Sequence, residues 1–295
     1  MDRPLPLKMR AGVMIKEIIV HLDGTPDDEA RIAYAEYLAA ARGAHIRGLY
    51  CVLLPEIILN LPQYAISRDV ASEQMAQFKA QVDKTEEALR TRLDRLSVPY
   101  DLRRFDILAG GVEGIVANQA RTADLMVVRT PYQPGFAMPG RAPEIVEAAL
   151  FGSGRGVFVV PDEEPVRIRP LDTILVAWTD SREAANAVSR AMPFLQAATQ
   201  VVAAMVEDGR PPEATGEEPG ADLARYLDRH GVKVELRHLR EWRNASEALF
   251  NEAERLGAGL LVAGAYGHSR LREWVLGGVT RDILTRTPIP ALLAH

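Results

Sequence analysis

The residues of this chain best suited to chemistry lie in Leu260–Arg281, LLVAGAYGHSRLREWVLGGVTR. An apolar run, Leu260 to Ala263, stops at Gly264; Gly267 follows, and after a basic segment the pair Gly277-Gly278 opens a helical pattern through Val279 and Thr280. Backbone N–H groups can close on an anion only where positive φ is permitted and no Cβ intrudes. A helix start adds unpaired donors and the positive end of a dipole. Strand, glycine turn, tether and helix start together suit a phosphate, although glycines between a strand and a helix also serve as plain turn punctuation.

The remaining chemistry is sparse. No Walker lysine follows the glycines and no nucleophile elbow is present. The histidines His21, His45, His230, His238, His268 and His295 show no metal-ligand spacing, so neither a catalytic residue nor a metal site is expected. His268 alone falls inside the glycine segment, as a neighbour of phosphate, a solvated loop residue or a general base. Trp274 either stacks or packs, and Arg270, Arg272 and Arg281 form a solvated face or ease a triphosphate's charge.

The elements that must position these residues repeat along the chain. Strands are expected at Ile15–Leu22, His45–Leu54, Pro99–Leu108, Asp124–Arg129 and Gly156–Val160, alternating with a helix that follows the Asp23–Pro26 turn and is ended by Gly43, one at Ser72–Leu96, one from after Gly110-Gly111 to about Ala123, and one at Glu144–Phe151. A proline-bounded linker, Pro161 to Pro170, precedes a second round. Its strands are Thr173–Trp178, Thr199–Val206, Val232–Leu239, Leu260–Ala263 and Pro290–Ala294, and its helices are Ser181–Leu195, Ala221–Arg229, Ser246–Leu256 and one through Thr280. Ala123–Val128 aligns with Ala258–Ala263, and Val146–Val160 with Val279–Leu293 without a gap. The reading is α/β: two tandem, doubly wound parallel-sheet domains over residues 12–162 and 170–295, whose ligands belong beyond the carboxyl ends of the strands.

Composition narrows the function. The chain has 295 residues, is 47% hydrophobic and 25% charged, and carries a formal net charge of −5. With no basic block, nucleic acid is not an expected partner. A lone cysteine, Cys51, excludes a disulfide framework, and no apolar run approaches the ~18 residues of a membrane span. The start shows no apolar leader, so a soluble, cytoplasmic protein with no membrane partner is expected.

Gly264, Gly267 and Gly277 match the G-x2-G-x9-G-S/T pattern of ATP-binding universal stress proteins, and both halves show that family's five-strand order; the chain resembles a tandem member. The resemblance implies a Rossmann-like, adenine-nucleotide-binding fold in which Ala263, Gly264, Ala265, Gly267 and His268 lead and wrap the phosphates. Gly277, Gly278, Val279 and Thr280 would receive the terminal phosphates, Ala177, Trp178 and Thr179 would face the adenine, and Val206 would offer backbone groups to the base. Two positions depart from the pattern: Gly278 replaces a Ser or Thr, and Thr179 replaces an aspartate.

In the first half, Asp23-Gly24-Thr25 keeps the base-side turn, but Arg129 and Tyr132 occupy the loop-glycine positions and Glu144 and Ile145 the glycine pair. One nucleotide site per chain is therefore expected. The implied function is a stress-response regulator that binds ATP or a related adenine nucleotide, with Mg²⁺ riding on the phosphates, and that acts on a protein partner without being an enzyme. The alternatives are a nucleotide-free scaffold and a slow adenine-nucleotide hydrolase. The fifth strands would pair within the chain as a pseudo-dimer, with association into a homodimer left open.

Overall fold

The computed structural model describes residues 15–54, 68–108, 110–132, 142–161, 165–206, 219–265 and 278–295. Ten strands form one sheet: β1 Glu17–Leu22, β2 His45–Leu53, β3 Tyr100–Ile107, β4 Leu125–Arg129, β5 Gly156–Val160, β6 Thr173–Ala177, β7 Gln200–Val206, β8 Val234–Leu239, β9 Leu260–Gly264 and β10 Ala291–Ala294. The helices are α1 Asp28–Ala40, α2 Arg68–Leu93, α3 Val112–Arg121, α4 Ala142–Gly152, α5 Arg182–Leu195, α6 Ala221–Arg229, α7 Ala245–Leu256 and α8 Gly278–Arg286. The strand order, β3-β2-β1-β4-β5-β10-β9-β6-β7-β8, is one five-strand order written twice, the second time reversed. Neighbours within each half are parallel, and β5 meets β10 antiparallel.

Strand composition follows from this layering. A parallel sheet covered on both faces needs apolar residues at both parities, and β5 (GVFVV) and β10 (ALLA) are buried at every position. Residues of α1, α2, α5 and α6 pack one face, and those of α3, α4, α7 and α8 the other. The outermost strands differ: β3 (YDLRRFDI) and β8 (VELRHL) carry charges along their length, which blunts an open edge against further pairing. That edge position explains why apolar alternation in Pro99–Leu108 is weak. Helix starts are marked as the sequence suggests, Asn244 Oδ1 accepting from Ser246 N at the head of α7. At the end of α1, Gly43 turns with φ +60°, and Ala44 N–H reaches back to Ala39 O at 3.1 Å.

The register corrects one alignment. Leu125 pairs with Gly156 in the first half and Leu261 with Ala291 in the second, so the partner of Leu260 in the repeat is Pro290, and Phe158 corresponds to Leu292. The gapless match of Val146–Val160 to Val279–Leu293 is one residue out in the strand. A one-residue slip would turn every side chain to the opposite face, and Phe158 and Leu292 indeed share one core while Ala291 belongs to the other.

Phe158 also sits opposite Leu292 in the antiparallel seam, with Val159 opposite Ala291 and Val157 opposite Leu293. The fifth strands thus satisfy each other within the chain. Around them two side-chain contacts cross between the halves: the Arg42 guanidinium stands 4.5 Å above the Phe194 ring, and the Phe151 and His295 rings lie 5.1 Å apart; Tyr34, whose ring is 5.8 Å from that of Phe158, donates through Oη to Arg167 O of the linker at 2.7 Å. Among the described residues no helix is long and apolar enough to cross a membrane.

Candidate functional site

In an open parallel sheet a crevice forms where connections leave a strand in opposite directions. In the second half that strand is β6, with β7 on one side and β9 on the other. Its carboxyl end brings together Ala177, the end of β7 at Val206 and the end of β9 at Gly264, all three half-buried. Trp178 N–H donates to Ala204 O at 2.9 Å, extending the ladder, while its side chain packs on the α5 face of the core. Thr179 is exposed at the rim, its Oγ1 3.1 Å from Ser181 Oγ, which in turn caps α5 by accepting from Ala184 N at 3.2 Å.

Gly264 has a packing reason to be glycine. A Cβ there would lie 2.6 Å from Ala184 N and 2.7 Å from Glu183 C, because the first turn of α5 is seated directly on the strand end. Ala265 differs from the sequence expectation. Its side chain is wholly buried, its N–H donates to Ala294 O at 2.7 Å, and its carbonyl accepts from His295 Nδ1 at 2.9 Å. An amide already paired in the fold does not also wrap a phosphate, so Ala265 anchors the start of the glycine segment. Ala263 is likewise buried at 2% exposure and supports the site from within the core.

Helix α8 opens at Gly278, which is exposed, and among the described residues a Cβ built on it meets nothing within 4 Å. Val279 packs partly on the core behind it. Thr280 is only 1% exposed, and its Oγ1 donates to Gly264 O at 3.4 Å, tying the helix start to the strand end. Its hydroxyl is therefore engaged within the fold. Gly267, His268 and Gly277, with Trp274, Arg270 and Arg272, lie outside the described residues, as do Glu207 to Glu218 of the acidic loop and Phe136 and Met138 of the first-half loop.

His295 was missed in the sequence. Besides holding Ala265, it accepts at its carbonyl from Asn186 Nδ2 at 3.2 Å, lies 3.4 Å from Arg182 through Nε2, and meets the Phe151 ring edge-on at 5.1 Å. No local spacing announces it, because its partners come from α4, α5 and the end of β9.

The corresponding crevice of the first half, between β1 and β4, is filled by its own side chains. Arg31, 2% exposed, donates to Asp23 at 2.8 Å and Asp28 at 2.6 Å and lies 2.9 Å from His21 Nδ1. Gly24 N–H donates to Asp28 at 2.7 Å and Thr25 Oγ1 to Asp23 at 2.6 Å. The polar groups of the Asp23-Gly24-Thr25 turn are thus paired within the turn and with Asp28 and Arg31. Burial and the adjacent Arg31 hold the His21 imidazole neutral, lowering its pKa to about 3. Burial pushes Asp28 up to about 6 against the pull of Arg31. Although burial opposes it, the guanidinium beside Asp23 holds that carboxyl well below the usual range. Arg129 pairs with Asp27, and Tyr132 Oη donates to Glu147 at 2.6 Å, so the two side chains that replace loop glycines are both engaged.

At the opposite, amino edge of the sheet, strands β1 to β3 bring Glu17, His45 and Asp101 together, one ligand atom of each lying within 4.8 Å of the others. His45 Nδ1 is 3.3 Å from Glu17 and Nε2 3.5 Å from Asp101. Arg47 contacts the same carboxylates, at 2.5 Å and 3.8 Å, and supplies the positive charge this cluster needs.

Residues 170–295 match the model of the Universal stress protein family. A stretch of 68 residues is 38% identical to Universal stress protein Slr1230 of Synechocystis sp. (strain ATCC 27184 / PCC 6803 / Kazusa), spanning 23% of this chain and 23% of that protein. The crystal structure of a universal stress protein from Archaeoglobus fulgidus DSM 4304 is similar over 95% of this chain and 96% of its own, with a TM-score of 0.66 and 15% identity. A functionally unknown protein from Pseudomonas aeruginosa PAO1 is similar over 95% and 92%, with a TM-score of 0.53 and 16% identity. At such identities the solved structures establish a shared fold.

Proposed function

From the premise that the chain, through residues 170–295, belongs to the universal stress protein family, we propose that its second half binds ATP or a related adenine nucleotide and that the protein acts as a regulator, not a catalyst. The observation that carries this reading is the start of α8. Gly278, the first residue of α8, is exposed at the carboxyl edge beside the β6/β9 switch point, with no described atom within 4 Å of a built Cβ, and a helix start offers backbone donors and a positive dipole end to an anion. Gly267, His268, Gly277, Gly278 and Val279 would hold the phosphates, Thr179 and Val206 would lie toward the base, and Mg²⁺ would ride on the phosphate oxygens. Gly264, Ala265 and Thr280 would position this cradle. The first half, residues 12–162, would serve as a nucleotide-free partner domain to residues 170–295. Nucleotide occupancy would bias recognition of a partner protein in the cytoplasm.

Calorimetric titration of the full chain with ATP tests the reading. Binding in the millimolar range or tighter is expected, and Gly267→Arg abolishes it by placing a side chain in the cradle. No heat and no thermal shift at millimolar nucleotide would refute it.

A nucleotide-free scaffold is the second reading. It is favoured by the internal pairing of Ala265 and by Gly264 being explained through packing alone. It requires that Gly267→Arg leave partner capture unchanged.

A further inference from the structure

Beyond β8 the chain crosses the carboxyl rim as Arg240-Glu241-Trp242-Arg243 before Asn244 caps α7. All four residues are exposed, and Trp242 retains 41% of its surface. Of the other large exposed apolar side chains, Phe151 has His295 and Tyr226 has His230 as ring partners, at 5.1 and 4.6 Å. Among the described residues the Trp242 indole has no such partner.

The residue before it is the one non-glycine residue with positive φ among those described, Glu241 at 65°. L-residues with ordinary side chains adopt that region rarely, and such strained positions cluster at ligand-binding segments. Here the strained residue holds up a tryptophan between two arginines.

Its place in the sheet indicates the ligand. Leu239, the last residue of β8, pairs with Val206, the last residue of β7. Trp242 is three residues further on, at most ~10 Å of chain, and neighbouring strands are about 4.8 Å apart. A base seated against Val206 is therefore within reach of the indole.

We infer that Trp242 is a base-stacking residue: it offers its indole face to the purine of the nucleotide, with Arg240 and Arg243 supplying positive charge at the same rim. The inference rests on the nucleotide reading above. It accounts for base binding without the aspartate that Thr179 replaces, because stacking uses the π face and needs no hydrogen-bond acceptor. It also implies weak discrimination between adenine and guanine.

The test separates the base from the phosphates. The full chain and its Trp242→Ala and Trp242→Phe variants are titrated with ATP, GTP and inorganic tripolyphosphate, with thermal unfolding run alongside. Trp242→Ala should weaken ATP and GTP roughly 5- to 150-fold, leave tripolyphosphate and Tm unchanged, and be largely rescued by Phe. Glu241→Gly, which relieves the backbone strain, should raise Tm while weakening ATP. An unchanged ATP Kd in Trp242→Ala, or an equal loss for tripolyphosphate, would overturn the stacking role while leaving the nucleotide reading intact. A wild-type chain that binds tripolyphosphate as tightly as ATP would do the same. A wild-type chain that binds none of the three would overturn both.

Discussion

Gly278→Ser is the substitution on which the nucleotide reading is most exposed. The position begins α8, is exposed, and among the described residues has no atom within 4 Å of a built Cβ, so the serine side chain displaces none of them. Its backbone φ is not among the positive values that would make a side chain costly. Serine also favours a helix start over glycine by a few tenths of a kcal/mol or more. Stability should hold or rise slightly. The gain lies in binding: a hydroxyl donated to a charged phosphate oxygen contributes about 1.5–3 kcal/mol, roughly 10- to 150-fold in Kd. The assay is calorimetry with ATP at fixed ionic strength on wild type and variant, since charge-dependent affinities shift with salt. A folded Gly278→Ser protein with unchanged Tm and unchanged ATP Kd would show that no phosphate sits over this helix start.

Three further outcomes follow from the packing and the buried charges. Gly264→Ala should destabilise by ~1–3 kcal/mol, because its Cβ would fall 2.6 Å from Ala184 N and 2.7 Å from Glu183 C; an unmoved denaturant midpoint would contradict that contact. Phe158→Ala should cost ~3–5 kcal/mol and lower a single transition for both halves, since the side chain is fully buried at the β5–β10 seam; two separate transitions in the wild type would refute one shared core. The buried His21 and Asp28 should oppose each other in acid. With its folded pKa lowered to about 3, His21 contributes stability that is complete above its usual 6.5 and is lost as pH falls toward 3. Asp28, raised to about 6, works the other way: stability is gained as pH falls from 6 toward 3.8. Each slope is about 1.4 kcal/mol per pH unit at most, so wild-type stability should be nearly flat between pH 6 and 4 and fall below, where Asp23 takes up a proton in the unfolded chain but stays ionised beside Arg31 in the fold. His21→Gln should instead grow more stable from pH 6 to 4 in denaturant melts, and a variant as flat as wild type would refute the neutral imidazole.

The inner strands were legible because burial on both faces leaves apolar residues at every position, as in β5 and β10. The edge strand β3 was read at Pro99–Leu108 as well, on a weaker pattern, since one side of its ladder faces solvent and charges intrude. The one-residue slip between the halves escaped because the helix-to-strand connection absorbs a residue without changing the pattern on either side. Gly264 shows a deeper limit. A helix packed on a strand end and an anion held by backbone amides both require that no Cβ be present, so a glycine in the sequence cannot distinguish them. The second demand is left to Gly267, Gly277 and Gly278. The Glu17–His45–Asp101 cluster and the contacts of His295 were illegible for another reason: their members are joined only by the topology.

The two halves diverge at the strand ends and not in the strands, and the seam explains why they can. Val157, Phe158 and Val159 must match Leu293, Leu292 and Ala291 across the antiparallel pair, so a change in either fifth strand disturbs one continuous core. The residues after β1 and β4 bear no such constraint. In the first half they have become Asp23 held by Arg31, Arg129 by Asp27 and Tyr132 by Glu147, each pair formed inside its own crevice. The seam is therefore kept by both copies, whereas the proposed nucleotide site draws on only one. One contact crosses from the first half to α8: Tyr132 N–H donates to Leu284 O at 3.4 Å. The helix proposed to receive phosphate at its first turn is thus braced, one and a half turns on, by the other half.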